Sequence, residues 1–450
     1  MSEFEPDRLM NTSILGWQSK TAVPVEHRRN FFHLYMDIAW FGLLSGSAIS
    51  FVIVYATRIG ATGWQIGLLN AAPAVISLMA TLPIGRWLQN DGRISRRVFW
   101  TSVGHRLFYV VWIFLPLLLL PQGQILLLAF TIFLMSIPGT ALAVGFNAMF
   151  AAAVPPELRP HVTGIRNGLL ALSFIVTSLL CGWLLTILPF PFGYQVVFAL
   201  GAIGALMSSV HLWFIRPHDE THTEPYPGHS LGDHARPGSV RMWLGGMKTA
   251  VADWRYLIYW RSRRLGQRDK KLDQAYIKIL VALFFFHLAQ YLAIPLFPLY
   301  WINMLQLTDQ SIGLGNAVFY LTVLITSTQL SRLTRRWNNY QLLLVGIFGM
   351  SLYPLLTAVP QNLPLFLVVS AIGGVTWGLV SGCLANYLLE RIPERERPSY
   401  LAYYHLSLNA AVLIGSLAGP LLAYYAGLVP ALIIIGIARF LAALGLRKWG

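Results

Sequence analysis

Residues 62–86 read TGWQIGLLNAAPAVISLMATLPIGR, and residues 308–332 read TDQSIGLGNAVFYLTVLITSTQLSR. Each segment opens on a threonine, continues through an apolar run of about 20 residues and closes on an arginine, long enough as a helix to cross a hydrocarbon core of roughly 30 Å. The six-residue cores, IGLLNA at 66–71 and IGLGNA at 312–317, stand at an offset of 246, which also pairs Thr62 with Thr308 and Arg86 with Arg332. The two segments therefore read as membrane spans of a chain that contains its own duplicate.

Composition extends that reading along the 450 residues. The chain is 56% hydrophobic and 11% charged, far below the roughly 25% charged of soluble domains. Apolar runs fall near 31–57, 64–86, 99–120, 125–150, 163–189, 194–215, 277–301, 310–331, 339–359, 363–389, 399–425 and 428–446. They are continuous where barrel strands would alternate, so they predict twelve helices. Pro138, Pro295, Pro298 and Pro420 fall inside spans as expected kinks. Net charge +15 points to a phospholipid surface and not to nucleic acid, because the basic residues lie in short clusters between spans. Cys181 and Cys383 both sit in apolar runs and give neither a disulfide framework nor a thiolate metal site.

The basic residues also orient the chain. Of 33 Lys and Arg, Arg58 alone falls in a loop that follows an odd-numbered span, whereas the loops after even-numbered spans carry Arg93, Arg96 and Arg97, Arg159, the central cluster, Arg335 and Arg336, and Arg395 and Arg397. Basic residues near span ends are retained on the cytoplasmic side, so both termini are expected there, in a plasma or bacterial inner membrane. Residues 1–30 are polar and lack the apolar core of a cleavable signal. The expected partition is a cytoplasmic tail 1–30, a six-helix bundle 31–216, a linker 217–276, a second bundle 277–446 and a tail 447–450.

A second repeat, PPELRP at 155–160 against PERERP at 393–398, has an offset of 238 and joins spans four and five to spans ten and eleven. With six plus six spans, a long basic central loop and a Gly-and-Arg loop after span two, the chain resembles the major facilitator superfamily over nearly its whole length. The resemblance implies an all-α fold of twelve transmembrane helices in two pseudo-symmetric six-helix bundles around a shared pathway. Of that family's loop pattern, Gly85, Gly92 and Arg93 match, with Asp91 displaced and Gln89 and Asn90 in place of its Asp and Arg. The family's antiporter signature Gly-x-x-x-Gly-Pro appears as Gly415, Gly419 and Pro420, in span eleven instead of span five.

The resemblance further implies a cavity lined by spans one, four, seven and ten. His287, Gln290 and Tyr291 share one face of span seven and are the leading substrate-contact candidates. Ser45 in span one, Thr140 and Asn147 in span four and Trp377 in span ten complete that set. Asp37 is the one acid well inside a span. An intramembrane carboxylate costs about 2.5–3.5 kcal/mol on insertion scales, so it marks either a proton-coupling site or an ion pair with Arg106 or Arg166. Arg166, with Asn167, and His405, with Tyr404 and Asn409, stand at equivalent places near the cytoplasmic ends and read as gating positions. Asn70 and Asn316, equivalent under the first repeat, are expected to bond neighbouring helices, and Arg439 to snorkel from span twelve.

In the linker, His218, His222, His229 and His234 read as a solvated tract in preference to a metal site, and residues 240–271, rich in Trp and Arg, as an interfacial helix on anionic headgroups. No phosphate-binding loop, zinc motif or nucleophile elbow occurs, so the expectation is a transporter without cofactor and not an enzyme. Its expected cargo is a small neutral or amphipathic solute, moved by alternating access with proton-coupled efflux favoured. The rivals are sugar or peptide uptake by the same fold, and a sensor or scaffold that binds a partner through the central loop.

Overall fold

The computed structural model describes residues 25–89, 94–118, 120–155, 157–216, 273–359, 362–393 and 397–450. Asp91, Gly92, Arg93 and the linker residues 217–272, with the expected interfacial helix at 240–271, lie outside them. Twelve helices among the described residues are long and apolar enough to cross a membrane. They are α1 (His27–Arg58), α2 (Gly63–Gln89), α3 (Ile94–Leu118), α4 (Pro121–Ala153), α5 (Arg159–Ile187) and α6 (Phe192–Trp213), then α7 (Gln274–Met304), α8 (Asp309–Arg336), α9 (Asn339–Thr357), α10 (Leu363–Arg391), α11 (Arg397–Ala426) and α12 (Leu428–Trp449). The described residues form no strand. Each expected span is found as one of these helices.

In hydrocarbon a backbone polar group has no water to bond, so the sequence supplies partners where helices begin and break. The side chains of Thr308, Asn338 and Asn362 accept hydrogen bonds from the amides of Ser311, Gln341 and Leu365, and Thr62 does the same for Gln65. These oxygens satisfy amides that the first turn leaves free. Pro295 interrupts α7, which resumes at Leu296–Leu299. Two π-helical turns, Ser45–Ile49 in α1 and Tyr300–Met304 in α7, add a residue per turn and so rotate the part of each helix beyond them.

Helix packing repeats between halves. In the first bundle α1 packs on α5 and α6, α3 on α4 and α6, and α2 on α4; the same pattern recurs among α7–α12. The bundles meet through α5 against α8 and through α11 against α2. These two seams are copies of one another in residue detail. A Cβ added to Gly67 of α2 would stand 2.5 Å from the carbonyl oxygen of Ser416, and one added to Gly313 of α8 would stand 2.7 Å from that of Ser178. Gly67 and Gly313 are related by the offset of 246, Ser178 and Ser416 by the offset of 238. The first repeat read from sequence thus contributes one glycine to each seam.

Candidate functional site

Where the two bundles face each other they enclose a cavity of about 370 Å³. Its walls come from α1, α5, α7 and α8 and include Phe41, Phe174, Trp301 and Tyr320, with polar groups from Ser45, Ser50 and Asn316. No carboxylate, ammonium, guanidinium or imidazole is among the lining side chains. Both π-helical turns contribute, Ser45 from one and Trp301 from the other. Phe174 and Tyr320, from opposite bundles, stack with ring centroids 3.7 Å apart. The Ser50 hydroxyl donates to the Ser45 carbonyl at 2.7 Å, which leaves Ser45, Asn316, Tyr320 and the unpartnered indole N–H of Trp301 as the free polar groups of an otherwise apolar chamber. Such a chamber suits an uncharged guest, because a charged one would lose its hydration without gaining a counter-ion.

The cavity is shut toward the loops that follow odd-numbered helices, the odd-loop end. There the Ser178 hydroxyl donates to the Gly313 carbonyl at 3.1 Å, and Arg58 pairs with Asp309 across the bundles at 3.0 Å. Eleven residues, about 16 Å of helix, separate Ser178 from Asn167 and Ser416 from His405. Eleven residues is close to three full turns, so each pair shares a helix face. Yet Ser178 is bonded and Ser416 buried at the seams, whereas Asn167 and His405 are exposed. The seams therefore part toward the even-loop end.

A second polar centre lies inside the first bundle. Asp37 of α1 is 3% exposed. One of its oxygens sits 3.2 Å from Arg166 of α5, the other 3.7 Å from Arg106 of α3, and the latter also accepts from the Ser208 hydroxyl of α6. Arg166 further donates to the Leu34 carbonyl at 2.5 Å and lies over the Phe146 ring at 4.8 Å. Arg106 donates to Ser209 at 3.1 Å, which bonds Ser102 at 2.7 Å. One turn nearer the even-loop end, the Nδ1 atoms of His33 and His211 lie 3.0 Å apart. The cluster fastens α1, α3, α5 and α6 with two cations and one anion. It provides both ion pairs foreseen as one reading of Asp37.

The expected trio in α7 divides differently. His287 is buried and bonds the Tyr404 hydroxyl through Nε2 at 3.0 Å. Gln290 is also buried, its carbonyl accepting from Arg439 at 3.1 Å. Tyr291 packs at Gly415, where an added Cβ would lie 2.9 Å from the tyrosine Cβ. None of the three is among the cavity-lining side chains; their shared face looks into the second bundle. Trp377 packs into that bundle's core, and Thr140 bonds the Ser136 carbonyl of its own helix at 2.8 Å. Asn147 is exposed, and Ser45 alone of the expected contacts lines the cavity. Gly415 and Gly419 bring α11 onto α7, while Pro420 reaches across to Gly63 of α2. Gly85 lies in the last turns of α2. Asn70 bonds the Ile66 carbonyl of its own helix and no neighbour, whereas Asn316 lines the cavity. Arg439, expected to snorkel, is 2% exposed and donates to the carbonyls of Met350 and Gln290, both at 3.1 Å.

Sequence reasoning missed Phe174, Trp301 and Tyr320, which pass for ordinary packing aromatics in apolar spans. It noticed Arg58 as the exception to the charge rule without asking what held it there.

Comparison with known proteins agrees with this fold. Among solved structures, the chain superposes on a bacterial homologue of the iron transporter ferroportin with TM-score 0.65 at 15% identity, covering 95% of this chain and 99% of that one. For the D-xylose-proton symporter the TM-score is 0.64 at 14% identity, covering 94% and 97%. For the nucleoside transporter NupG it is 0.63 at 11% identity, covering 93% and 99%. A shorter stretch of 132 residues is 24% identical to "Multidrug resistance protein 2" of Bacillus subtilis (strain 168), spanning 29% of this chain and 33% of that protein. Residues 38–263 and 279–449 match the model of the family described as Major Facilitator Superfamily. With that match over both halves, and superposition on transporters over more than nine-tenths of its length, the chain belongs to the major facilitator superfamily and is a membrane transporter, not an enzyme.

Proposed function

We propose that the protein is a secondary transporter that moves a small neutral or amphipathic solute by alternating access, with efflux as its direction. The observation that carries the reading is the chamber between the bundles, about 370 Å³, aromatic and without a fixed charge, shut at one end by the bundle seams. Rocking of the bundles about that chamber exposes it to each face in turn. The distribution of basic residues supports a cytosolic even-loop end and cytosolic termini in a plasma or bacterial inner membrane. The partial likeness to a protein named for multidrug resistance supports efflux, and the linker residues 240–271 rest on anionic headgroups in this reading.

Flux of a panel of neutral and amphipathic solutes into proteoliposomes tests the proposal. At least one solute should move, and Asn316→Trp, which fills the chamber, should lower its flux at least tenfold while leaving the protein folded. Flux untouched by a plugged chamber would sink the reading. Proton coupling through Asp37 is the favoured variant, because protonation of the carboxylate would release Arg166 from its counter-ion and loosen α1 from α5. Gradient-independent flux that is unchanged in Asp37→Asn would remove that mechanism and leave the residue as a counter-ion. A scaffold would instead lose its role on deletion of 217–271, which a transporter should tolerate with some flux retained.

A further inference from the structure

Arg58 is the single basic residue in any loop after an odd-numbered span, and the charge rule that orients the chain offers no reason for it. Its surroundings do. Arg58 ends α1, and its guanidinium reaches across to the other bundle. Nε and one terminal nitrogen both donate to Oδ1 of Asp309, at 3.2 and 3.0 Å, and the same terminal nitrogen donates to the Leu307 carbonyl at 2.6 Å. The pair is partly sheltered, with side chains 27% and 14% exposed, so its attraction is less screened than that of a surface pair.

Each charge also has a favourable place in its own bundle. The cation sits at the C-terminal end of a helix and the anion in the first residue of one, so each helix dipole stabilises its charge whether or not the other is present. Separating the bundles therefore costs the pair's mutual attraction without stranding either ion. That is what a contact made and broken in every cycle requires. Beside it lie Gly182, whose added Cβ would stand 3.1 Å from Gln310 Cα, and the Ser178 to Gly313 hydrogen bond. The ion pair caps the seam at its outer edge.

We propose that Arg58 and Asp309 are the latch of the odd-loop end: they hold the bundles closed over the cavity, and their separation is part of opening to that side. The proposal rests on the alternating-access reading, and it makes Arg58 and Asp309 positioning residues that act on the bundles without touching the solute.

The native thiols supply the test. Cys181, fully buried in α5 next to Gly182, reports on the seam, and Cys383, fully buried in α10, reports on general loosening. Labelling of both by a membrane-impermeant maleimide is followed by mass spectrometry in proteoliposomes, with no solute needed. This separates failure of the latch from failure of the transport reading. Asp309→Asn and Arg58→Gln should each speed labelling of Cys181 about fivefold with Cys383 unchanged, from the worth of one sheltered pair. The exchanged pair, Arg58→Asp with Asp309→Arg, should return the rate toward that of the native protein. Unchanged Cys181 labelling in both single variants would overturn the proposal. So would equal acceleration at both thiols, which would make the pair a general support of the fold.

Discussion

Three arginines buried among apolar helices, Arg439, Arg106 and Arg166, raise the same question at the residue scale: what replaces the water they gave up? Arg439 has no carboxylate partner among the described residues. It lies instead against two carbonyls whose helices have lost a hydrogen bond or nearly so. Met350 is four residues before Pro354, which has no amide to offer it, so its carbonyl would be an orphan. Gln290 receives only a long bond of 3.3 Å from Ile294, at the break before Pro295. Arg439 thus closes two weak points where the helices leave carbonyls without a full intrahelical hydrogen bond. Arg439→Leu should lower the unfolding midpoint in detergent by an amount equivalent to about 2–3 kcal/mol, because buried acceptors lose their donor. In a Pro354→Ala background the penalty should shrink, since the alanine amide can serve Met350. Equal penalties in both backgrounds would refute this account.

Asp37 presents the opposite arrangement, one anion between two cations. Asp37→Asn leaves Arg106 and Arg166 buried without a counter-ion and should destabilise the protein by about 3–5 kcal/mol. Adding Arg166→Met should recover much of that, because it removes a stranded charge, and thermal unfolding of the four-membered cycle measures the coupling. Additive losses would mean the two side chains do not share the interaction described.

At the scale of elements, the helices are legible because continuous apolar runs leave the bilayer as their one suitable solvent. The rotation of each helix is not. A helix apolar all round carries no stripe that tells which face meets a neighbour, so nothing in the sequence turns the polar face of His287, Gln290 and Tyr291 away from the cavity and toward Tyr404 and α12, where the structure has it. The π-helical turns, which turn Ser45 and Trp301 toward the chamber, leave no mark in sequence. The first repeat, by contrast, contains the seam glycines Gly67 and Gly313, although nothing in the sequence marks them as contacts between bundles. Glycines show how location decides consequence. A Cβ on Gly374 would overlap Thr322 Oγ1 and the Phe319 carbonyl oxygen inside the second bundle, whereas Gly313 meets the other bundle. Gly374→Val should therefore reduce folded yield and thermal stability, from overpacking that typically costs about 1–3 kcal/mol. Gly313→Val should leave stability nearly native but accelerate Cys181 labelling, because the bundles can part to make room. A comparable loss of stability in both would contradict the division into rigid bundles with a yielding seam.

The whole molecule is a wedge. Its two seams are tight where Ser178 and Ser416 meet the opposite bundle and open where Asn167 and His405 stand on the same helix faces about 16 Å away. Because Asn167 and His405 are related by the offset of 238, opening is symmetric, one copy of the motion in each seam. Rocking should then bury both positions together when the odd-loop end opens. With Cys181 and Cys383 replaced by alanine, Asn167→Cys and His405→Cys should label readily with an impermeant maleimide applied from the even-loop side and poorly from the other. Adding Asp309→Asn, which frees the opposite end, should slow both by a similar factor, about threefold to fivefold for a shift of roughly 1 kcal/mol in the balance of states. Labelling that slows at one position and not its counterpart would show that the two seams move independently, and the rigid-bundle description would have to give way to one in which a single helix pair gates the cavity.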